Sequence, residues 1–202
     1  MTRTSPLSRR MLLTVGAAAA AVAALPGGAL ALDVGTARSL IDRAVGDVNS
    51  TINSGKSESA MFADFERIFV RYADVPTIAR STLGPAARSA TPAQMQAFTA
   101  AFQGYISRKY GRRFREFIGG QIEVTGAKPI KTYFEVTSLA RLRGQSPFDL
   151  RWHVSERGGK QMFFNIIIEG VNMLAAERTE IGAMLDRRRG DIAALVEDLK
   201  RA

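Results

Sequence analysis

The sequence has 202 residues with 28 Lys and Arg, 19 Asp and Glu and no cysteine, which gives a formal net charge of +9. The length suits one domain with a sizeable core, and the lack of cysteine excludes a disulfide-stapled scaffold, a thiol nucleophile and a cysteine metal site. The basic balance is compatible with nucleic acid, anionic lipid headgroups or an acidic protein as partner.

Residues 1–31 have the layout of an export signal. Three arginines precede the apolar stretch LLTVGAAAAAVAAL, and PGGALA offers an A-x-A cleavage site near Ala31. SRRML at 8–12 resembles a twin-arginine signal, with a Sec signal as the alternative, whereas the stretch is short for a transmembrane anchor. We therefore predict a cleaved signal peptide over 1–31 and a single domain over 32–202. Cleavage leaves 25 basic against 19 acidic residues, and export argues against nucleic acid as the partner.

Residues 33–118 carry helical signals. Apolar residues at helical spacing mark DVGTARSLIDRAVGDVNSTI and SAMFADFERIFVRYA. Asp74 is expected to cap a short helix that stops at Gly84. TPAQ at 91–94 predicts a capping box at the start of a long aromatic-rich helix, which we expect to end at Gly119.

After the double glycine at 119–120, apolar residues recur at every second position instead of at helical spacing. FDLRWHV predicts a half-buried strand, and ERGGK predicts a hairpin turn into QMFFNIIIEG. On this last strand we place Phe164, Ile166 and Ile168 on one face and Phe163 on the other. QIEVTGAK and KTYFEVTSLARLR give two more strands. The predicted fold is α+β, a four-stranded antiparallel sheet covered by helices, and it closes with two helices capped by Asn172 or Gly170 and by Asp191.

A search for catalytic chemistry is negative. The single histidine, His153, lies on the polar side of a strand, and no local motif supplies triad partners. Neither a Gly-rich phosphate loop nor a His/Asp/Glu cluster with metal spacing is present in the sequence. We therefore predict no cofactor, no metal site and no enzymatic activity.

A basic group stands at the end of the long predicted helix, in RKYGRRFRE. Arg108, Arg112 and Arg115 fall on one helix face at i, i+4 and i+7. Two interpretations stay open: a solvated helix face, or a docking surface for anionic headgroups or an acidic partner.

Three segments carry a family resemblance: FVRYADVPTIARSTLG at 69–84, TPAQMQAFTAAFQGYISRKYGRRF at 91–114 and NIIIEGVNMLAAERTEIGAML at 165–185. In that order behind an export signal, they resemble the MlaC family, the periplasmic phospholipid-binding proteins of the Mla lipid-transport system, also known as toluene-tolerance auxiliary proteins of ABC transporters. Glu177 stands where tyrosine is usual in that family.

The resemblance implies a periplasmic lipid carrier with an apolar pocket between sheet and helices. The pocket would hold phospholipid acyl chains, and the partners would be an inner-membrane Mla-type ABC transporter complex and an outer-membrane lipoprotein-porin complex. Such a carrier would help to maintain outer-membrane lipid asymmetry. The candidate lipid-binding residues share an apolar character and a place on the predicted inner faces: Phe69, Phe98, Phe102, Tyr105, Val124, Phe134, Val136, Phe148, Leu150, Trp152, Phe164, Ile166 and Ile168.

The sequence leaves alternatives to this interpretation. The same apolar residues would serve in a dry core, which composition alone favours, because a core and a cavity use the same side chains. An envelope adaptor would have a filled core and an exposed apolar patch. An enzyme acting on an apolar molecule would need Glu135, Asp149 or His153 to face inward.

Overall fold

The computed structural model describes residues 33–111, 117–157 and 159–202, so the predicted signal peptide and two of the docking candidates, Arg112 and Arg115, lie outside the described residues. The chain begins with helices over the following ranges: α1 Val34–Ile52, α2 Glu58–Tyr72, α3 Val75–Leu83 and α4 Pro92–Gly111. A 3₁₀ turn over Gly84–Arg88 joins α3 to α4.

The strands follow, in chain order and in spatial order, as β1 Gln121–Ile130, β2 Tyr133–Arg141, β3 Phe148–Arg157, β4 Lys160–Ile168 and β5 Val171–Asn172. Every neighbouring pair is antiparallel. Helices α5 Met173–Arg187 and α6 Ile192–Arg201 close the chain. The α+β class is confirmed, but the sheet has five strands where we predicted four. The two residues of β5 are too few to show a period of two, and pairing with β4 alone defines them.

Side-chain caps start the helices as the sequence predicts. The Thr91 N–H donates to Gln94 Oε1 at 2.9 Å and the Gln94 N–H donates to Thr91 Oγ1 at 3.2 Å, which is a complete capping box. Asp74, Asn172 and Asp191 likewise accept backbone N–H groups of α3, α5 and α6. These contacts satisfy donors that the first helical turn leaves without intrahelical partners.

Helix α4 is described from Pro92 to Gly111, and residues 112–116, which separate it from the predicted end at Gly119, lie outside the described residues. Gly111 is buried and lies so close to α2 that a Cβ there would stand 2.8 Å from Phe62 Cδ1. A glycine is therefore required where these two helices approach each other.

Hydrogen bonds tie the helices to β1 and to the part of β4 that β5 does not pair. At β1, the side chain of Asn49 on α1 accepts from the Ile122 N–H at 3.0 Å and donates to the Ile122 carbonyl at 2.8 Å, and Arg38 donates to the Val124 carbonyl. At β4, the Asp74 N–H donates to the Phe163 carbonyl at 2.8 Å. These bonds satisfy edge groups that would otherwise pair with another chain.

Helices α1, α2 and α3 pack on one face of the sheet, which we call the inner face; the opposite face is the outer face. Helix α1 contacts β1 to β4, and α2 and α3 contact β4. Helix α4 packs chiefly against α2, α3 and α6, so the helices form a second layer beyond α1. The largest buried side chains lie between these layers.

Candidate functional site

The inner face of the sheet is an apolar surface built by strand register. Directly paired residues on neighbouring antiparallel strands share a face. Three rows of such residues cross the sheet here: Val124–Ser138–Leu150–Ile168, Val136–Trp152–Ile166 and Phe134–Val154–Phe163, with Phe148 paired to Ala140 beside them. The common face predicted for the eight strand candidates Val124, Phe134, Val136, Phe148, Leu150, Trp152, Ile166 and Ile168 is confirmed.

The prediction for Phe164 is wrong. The β3–β4 register shifts between His153 and Val154, so Val154 pairs with Phe163 while His153 pairs with Asn165. Phe164 is the extra residue of this bulge, and its ring lies against Tyr133 and His153 on the outer face. A bulge adds one residue to a strand and reverses the alternation beyond it, so Phe163 takes the inward position.

An aromatic cluster joins α2 to the inner face. The Phe163 ring centroid lies 5.3 Å from that of Trp152, nearly perpendicular, and 6.3 Å from that of Phe69. The Trp152 indole N–H donates to Ser138 Oγ at 3.1 Å, which satisfies both polar groups inside the apolar layer. This cluster brings together two of our candidates, Phe69 and Trp152, with one residue that the sequence assigned to the wrong face.

The three candidates on α4 lie in the helical layer. Phe98 and Phe102 are fully buried and stack at 5.8 Å between ring centroids. Tyr105 is also buried, and its hydroxyl donates to Glu180 Oε1 of α5 at 2.5 Å. Burial and this hydrogen bond raise the pKa of Tyr105 to about 12. These residues therefore line the helix–helix interface rather than the surface of the sheet.

Many side chains between sheet and helices are buried. Val136, Val154, Phe98 and Phe102 have no exposed surface, whereas Phe134, Phe148, Ile166 and Ile168 are half-buried. Two open clefts of about 530 and about 490 Å³ lie on the helical surface beside Gln103, and none of the predicted lipid-binding residues lines either cleft. Neither cleft is therefore the apolar pocket predicted between sheet and helices.

The outer face carries a buried polar row. Glu135, His153 and Asn165 are paired across three strands and are each less than 10% exposed. Glu135 lies 3.0 Å from Lys128 Nζ and 3.6 Å from His153 Nε2. Burial lowers the pKa of His153 below its usual 6.5, against the opposing influence of Glu135.

This placement bears on the enzyme alternative. The three ionisable residues that would have supported it, Glu135, Asp149 and His153, lie on the outer face of the sheet and do not face inward.

Of the three docking candidates at the end of α4, Arg108 is the one that the structure describes, and its side chain hydrogen-bonds to backbone carbonyls. The Arg108 Nε donates to the Ala202 carbonyl at 2.8 Å and its Nη2 to the Leu199 carbonyl at 2.6 Å. These contacts satisfy the last carbonyls of α6. Arg108 is therefore not a free cation, and the docking function predicted for it has no support in its contacts.

A polar network around the buried Glu177 links α4 to α5. Lys109 Nζ donates to Glu177 Oε1 at 2.7 Å and also to Glu180, and the Tyr110 hydroxyl donates to Glu177. Burial and the Glu177 contact raise the pKa of Tyr110 strongly. Burial would lower the pKa of Lys109, but its hydrogen bonds to the two glutamates raise it instead. The network fixes α5 to α4 where Glu177 replaces the tyrosine usual in the resembled family.

Within the three described ranges, no helix has the length and apolar character needed to cross a membrane. Over the same ranges, no group of three or more His, Cys, Asp or Glu side chains is placed to hold a metal ion.

Phe163 and Ser138 are inner-face residues that sequence reasoning misses. A regular period of two predicts Phe163 outward, and adjacent Phe163 and Phe164 give no sign of which ring is inside. The polar side chain of Ser138 suggests a surface position. Only the indole N–H of Trp152, which needs an acceptor when buried, could have suggested such a partner.

The family-level comparisons agree with this architecture. The model of the family described as MlaC protein matches residues 42–201. The fold is also similar to that of a phospholipid-binding protein from Ralstonia solanacearum, whose structure was determined in complex with a phospholipid. The TM-score is 0.71 with 21% sequence identity, over 82% of this chain and 95% of that chain. Because the family model covers most of the sequence, the chain belongs to the MlaC protein family.

Proposed function

We propose that this protein is a periplasmic phospholipid carrier that holds acyl chains against the inner face of its sheet. It would receive and deliver lipid at an inner-membrane Mla-type ABC transporter complex and an outer-membrane lipoprotein-porin complex. Residues 1–31 would direct its export and be removed. Family membership and the phospholipid bound to the Ralstonia solanacearum protein support the choice of ligand.

The observation that carries the proposal is the continuous apolar character of the inner face. The three rows of residues that cross it contain no charged side chain, and their one hydroxyl, on Ser138, is occupied by the indole of Trp152. Such a surface matches methylene groups and offers a headgroup nothing to bind. We therefore expect specificity for acyl chains and tolerance of different headgroups.

The energetics favour a carrier without chemistry of its own. Each methylene removed from water contributes about 0.8 kcal/mol, so two chains with roughly 15 methylenes each represent about 24 kcal/mol of gross transfer free energy. Spontaneous release into water is therefore very slow. Transfer between the protein and a bilayer can still be nearly balanced, because both environments are apolar.

Lipid entry requires the helices to move relative to the inner face. The α1 helix is held at β1 by Asn49 and Arg38, and the start of α3 is held at β4 through Phe163. Between these two edges the contact is made by apolar side chains, including the Phe69–Phe163–Trp152 cluster. Apolar contacts can be exchanged for contacts with acyl chains at little cost, whereas broken edge hydrogen bonds leave unpaired groups.

The adaptor function is the second candidate, and the extensive buried core is the observation that favours it. The surface offers less support. The exposed large apolar side chains of the described ranges are Val70, Ile118 and Val171, which lie on three different segments of the chain. An adaptor would retain this packed interior and take up no lipid.

Native mass spectrometry of the protein purified from the envelope fraction, followed by lipid extraction, tests the proposal. Ile166 and Ile167 provide a matched pair, because both are half-buried isoleucines of β4 on opposite faces. We expect a bound phospholipid of defined stoichiometry, lost from Ile166→Asn and retained by Ile167→Asn at similar unfolding midpoints. Equal loss in both variants would contradict the inner-face site. A wild-type protein that carries no lipid and takes none from vesicles would favour the adaptor.

A further inference from the structure

Cationic side chains gather at one end of the sheet, where two hairpins turn. The β1–β2 hairpin turns at Lys131 and Thr132, and the β3–β4 hairpin turns between Arg157 and Lys160, which are paired. Because the strands alternate in direction, both turns project from the same end. We call Lys128, Lys131, Arg157 and Lys160 the basic rim.

The cations of the basic rim face solvent while the nearby carboxylates are buried. The side chains of Lys128 and Arg157 are 61% and 74% exposed, whereas those of their partners Glu135 and Asp74 are 8% and 11% exposed. Lys131 and Lys160 are exposed and have no ion pair among the described residues. Among the described residues of the two hairpins, Glu156 is the one exposed acid next to the turns. The outward charge at this end is therefore positive.

The opposite end of the sheet has a mixed charge. Arg141 pairs with Glu123 at 3.2 Å, and the exposed acids Asp149 and Glu169 lie beside the β2–β3 connection with Arg143. The basic balance of the chain is thus not spread evenly over the sheet. An asymmetric charge orients a protein toward an anionic surface.

The basic rim borders the aromatic end of the inner face. The row Phe134–Val154–Phe163 is the last of the three rows before the two hairpin turns, and Phe134 is half-buried there. The half-buried ring of Phe69 lies against Phe163 at the same end. Cations and the edge of the apolar layer therefore occupy neighbouring positions.

From this juxtaposition we propose that the basic rim docks the protein onto an anionic phospholipid bilayer, with the Phe134 end of the inner face turned toward the membrane. The inference rests on the proposed carrier function and adds the surface at which the carrier meets lipid. Three of its four cations are lysines, of which Lys131 lies in one turn and Lys160 beside the other, and lysine acts as a mobile point charge. Such charges suit an array of lipid phosphates, whereas an acidic protein segment would fit better into a concave groove such as the cleft beside Arg80.

Vesicle flotation tests the proposal with a charge-matched control. The rim variant is Lys131→Gln/Lys160→Gln, and the control is Arg43→Gln/Arg143→Gln, which removes two exposed cations elsewhere. The probes are phosphatidylcholine vesicles and vesicles in which about a third of the lipid is phosphatidylglycerol. Each cation near an anionic surface raises the binding constant roughly fivefold. We therefore expect the rim variant to bind anionic vesicles about 25-fold more weakly than the wild type, and the control variant to bind them less than about twofold more weakly.

The outcomes separate this proposal from its rivals and from the carrier function. Loss of wild-type binding in about 0.5 M salt supports the proposal, because screening acts on exposed charges. Equal weakening of both variants would overturn it in favour of a general charge effect. Equal wild-type binding to both vesicle types, with rim-dependent binding to polyglutamate, would overturn it in favour of an acidic protein. Unchanged phospholipid content of the rim variant, measured by native mass spectrometry, would show that the docking surface alone was altered.

Discussion

The bulge in β4 makes opposite predictions for two adjacent phenylalanines. Phe163 is 6% exposed and packs between Trp152 and Phe69, so Phe163→Ala should cost about 3 to 5 kcal/mol in unfolding free energy. Phe164 is half-buried on the outer face beside Tyr133, so Phe164→Ala should cost about 1 to 2 kcal/mol. The expected gap is therefore about 1 to 4 kcal/mol.

Urea unfolding followed by tryptophan fluorescence measures this gap, because Trp152 is the one tryptophan of the sequence. Its ring lies 5.3 Å from that of Phe163, so Phe163→Ala should also change the native emission, while Phe164→Ala should leave it nearly unaltered. A regular strand without the bulge would reverse the order of the two losses. A cost for Phe164→Ala equal to or above that for Phe163→Ala would refute the placement of the bulge.

Three further predictions concern a cap, a sheet edge and a titration. Asp191→Ala should lower the unfolding free energy by about 1 kcal/mol, because it leaves two N–H groups of α6 uncapped. Asp191→Asn should retain most of the wild-type stability, and an unchanged unfolding free energy in Asp191→Ala would contradict the cap. Asn49→Ala should cost about 2 kcal/mol by leaving the N–H and carbonyl of Ile122 without partners, and unchanged hydrogen exchange at Ile122 would argue against that contact. Because the pKa of His153 is depressed below 6.5 in the folded protein, the unfolded chain binds the proton more readily. Stability should therefore fall as the pH drops below about 6.5, until the pKa of the folded state is passed. His153→Gln should flatten this part of the stability profile, and an identical slope in the variant would assign the pH dependence to another group.

Much of the fold could be predicted because its signals are local. The capping box at Thr91 and Gln94, and the caps at Asp74 and Asp191, depend on residues within three positions of one another. Alternation along β3 placed Leu150 and Trp152 on one face because a regular strand repeats every two residues.

The candidate site could be predicted only in part. The inner face of β1 to β3 follows from alternation, but β4 carries the bulge that exchanges Phe163 for Phe164. The capping role of Arg108 could not be predicted from the sequence either, because its acceptors, Leu199 and Ala202, lie more than 90 residues further along the chain. A basic side chain at a helix end has the same local pattern whether it faces solvent or caps a distant helix.

Spacing along the chain is sufficient to predict the α+β class, the helix starts, most of the inner-face residues and the family resemblance. It does not predict three features that depend on strand pairing: the inward ring of β4, the burial of Glu135 and His153 on the outer face, and the grouping of Lys131 and Lys160 at one end of the sheet. The physical reason is that strand pairing brings together residues far apart in sequence. Contacts between such residues depend on register and direction, and a linear pattern specifies neither across a bulge or between separate hairpins.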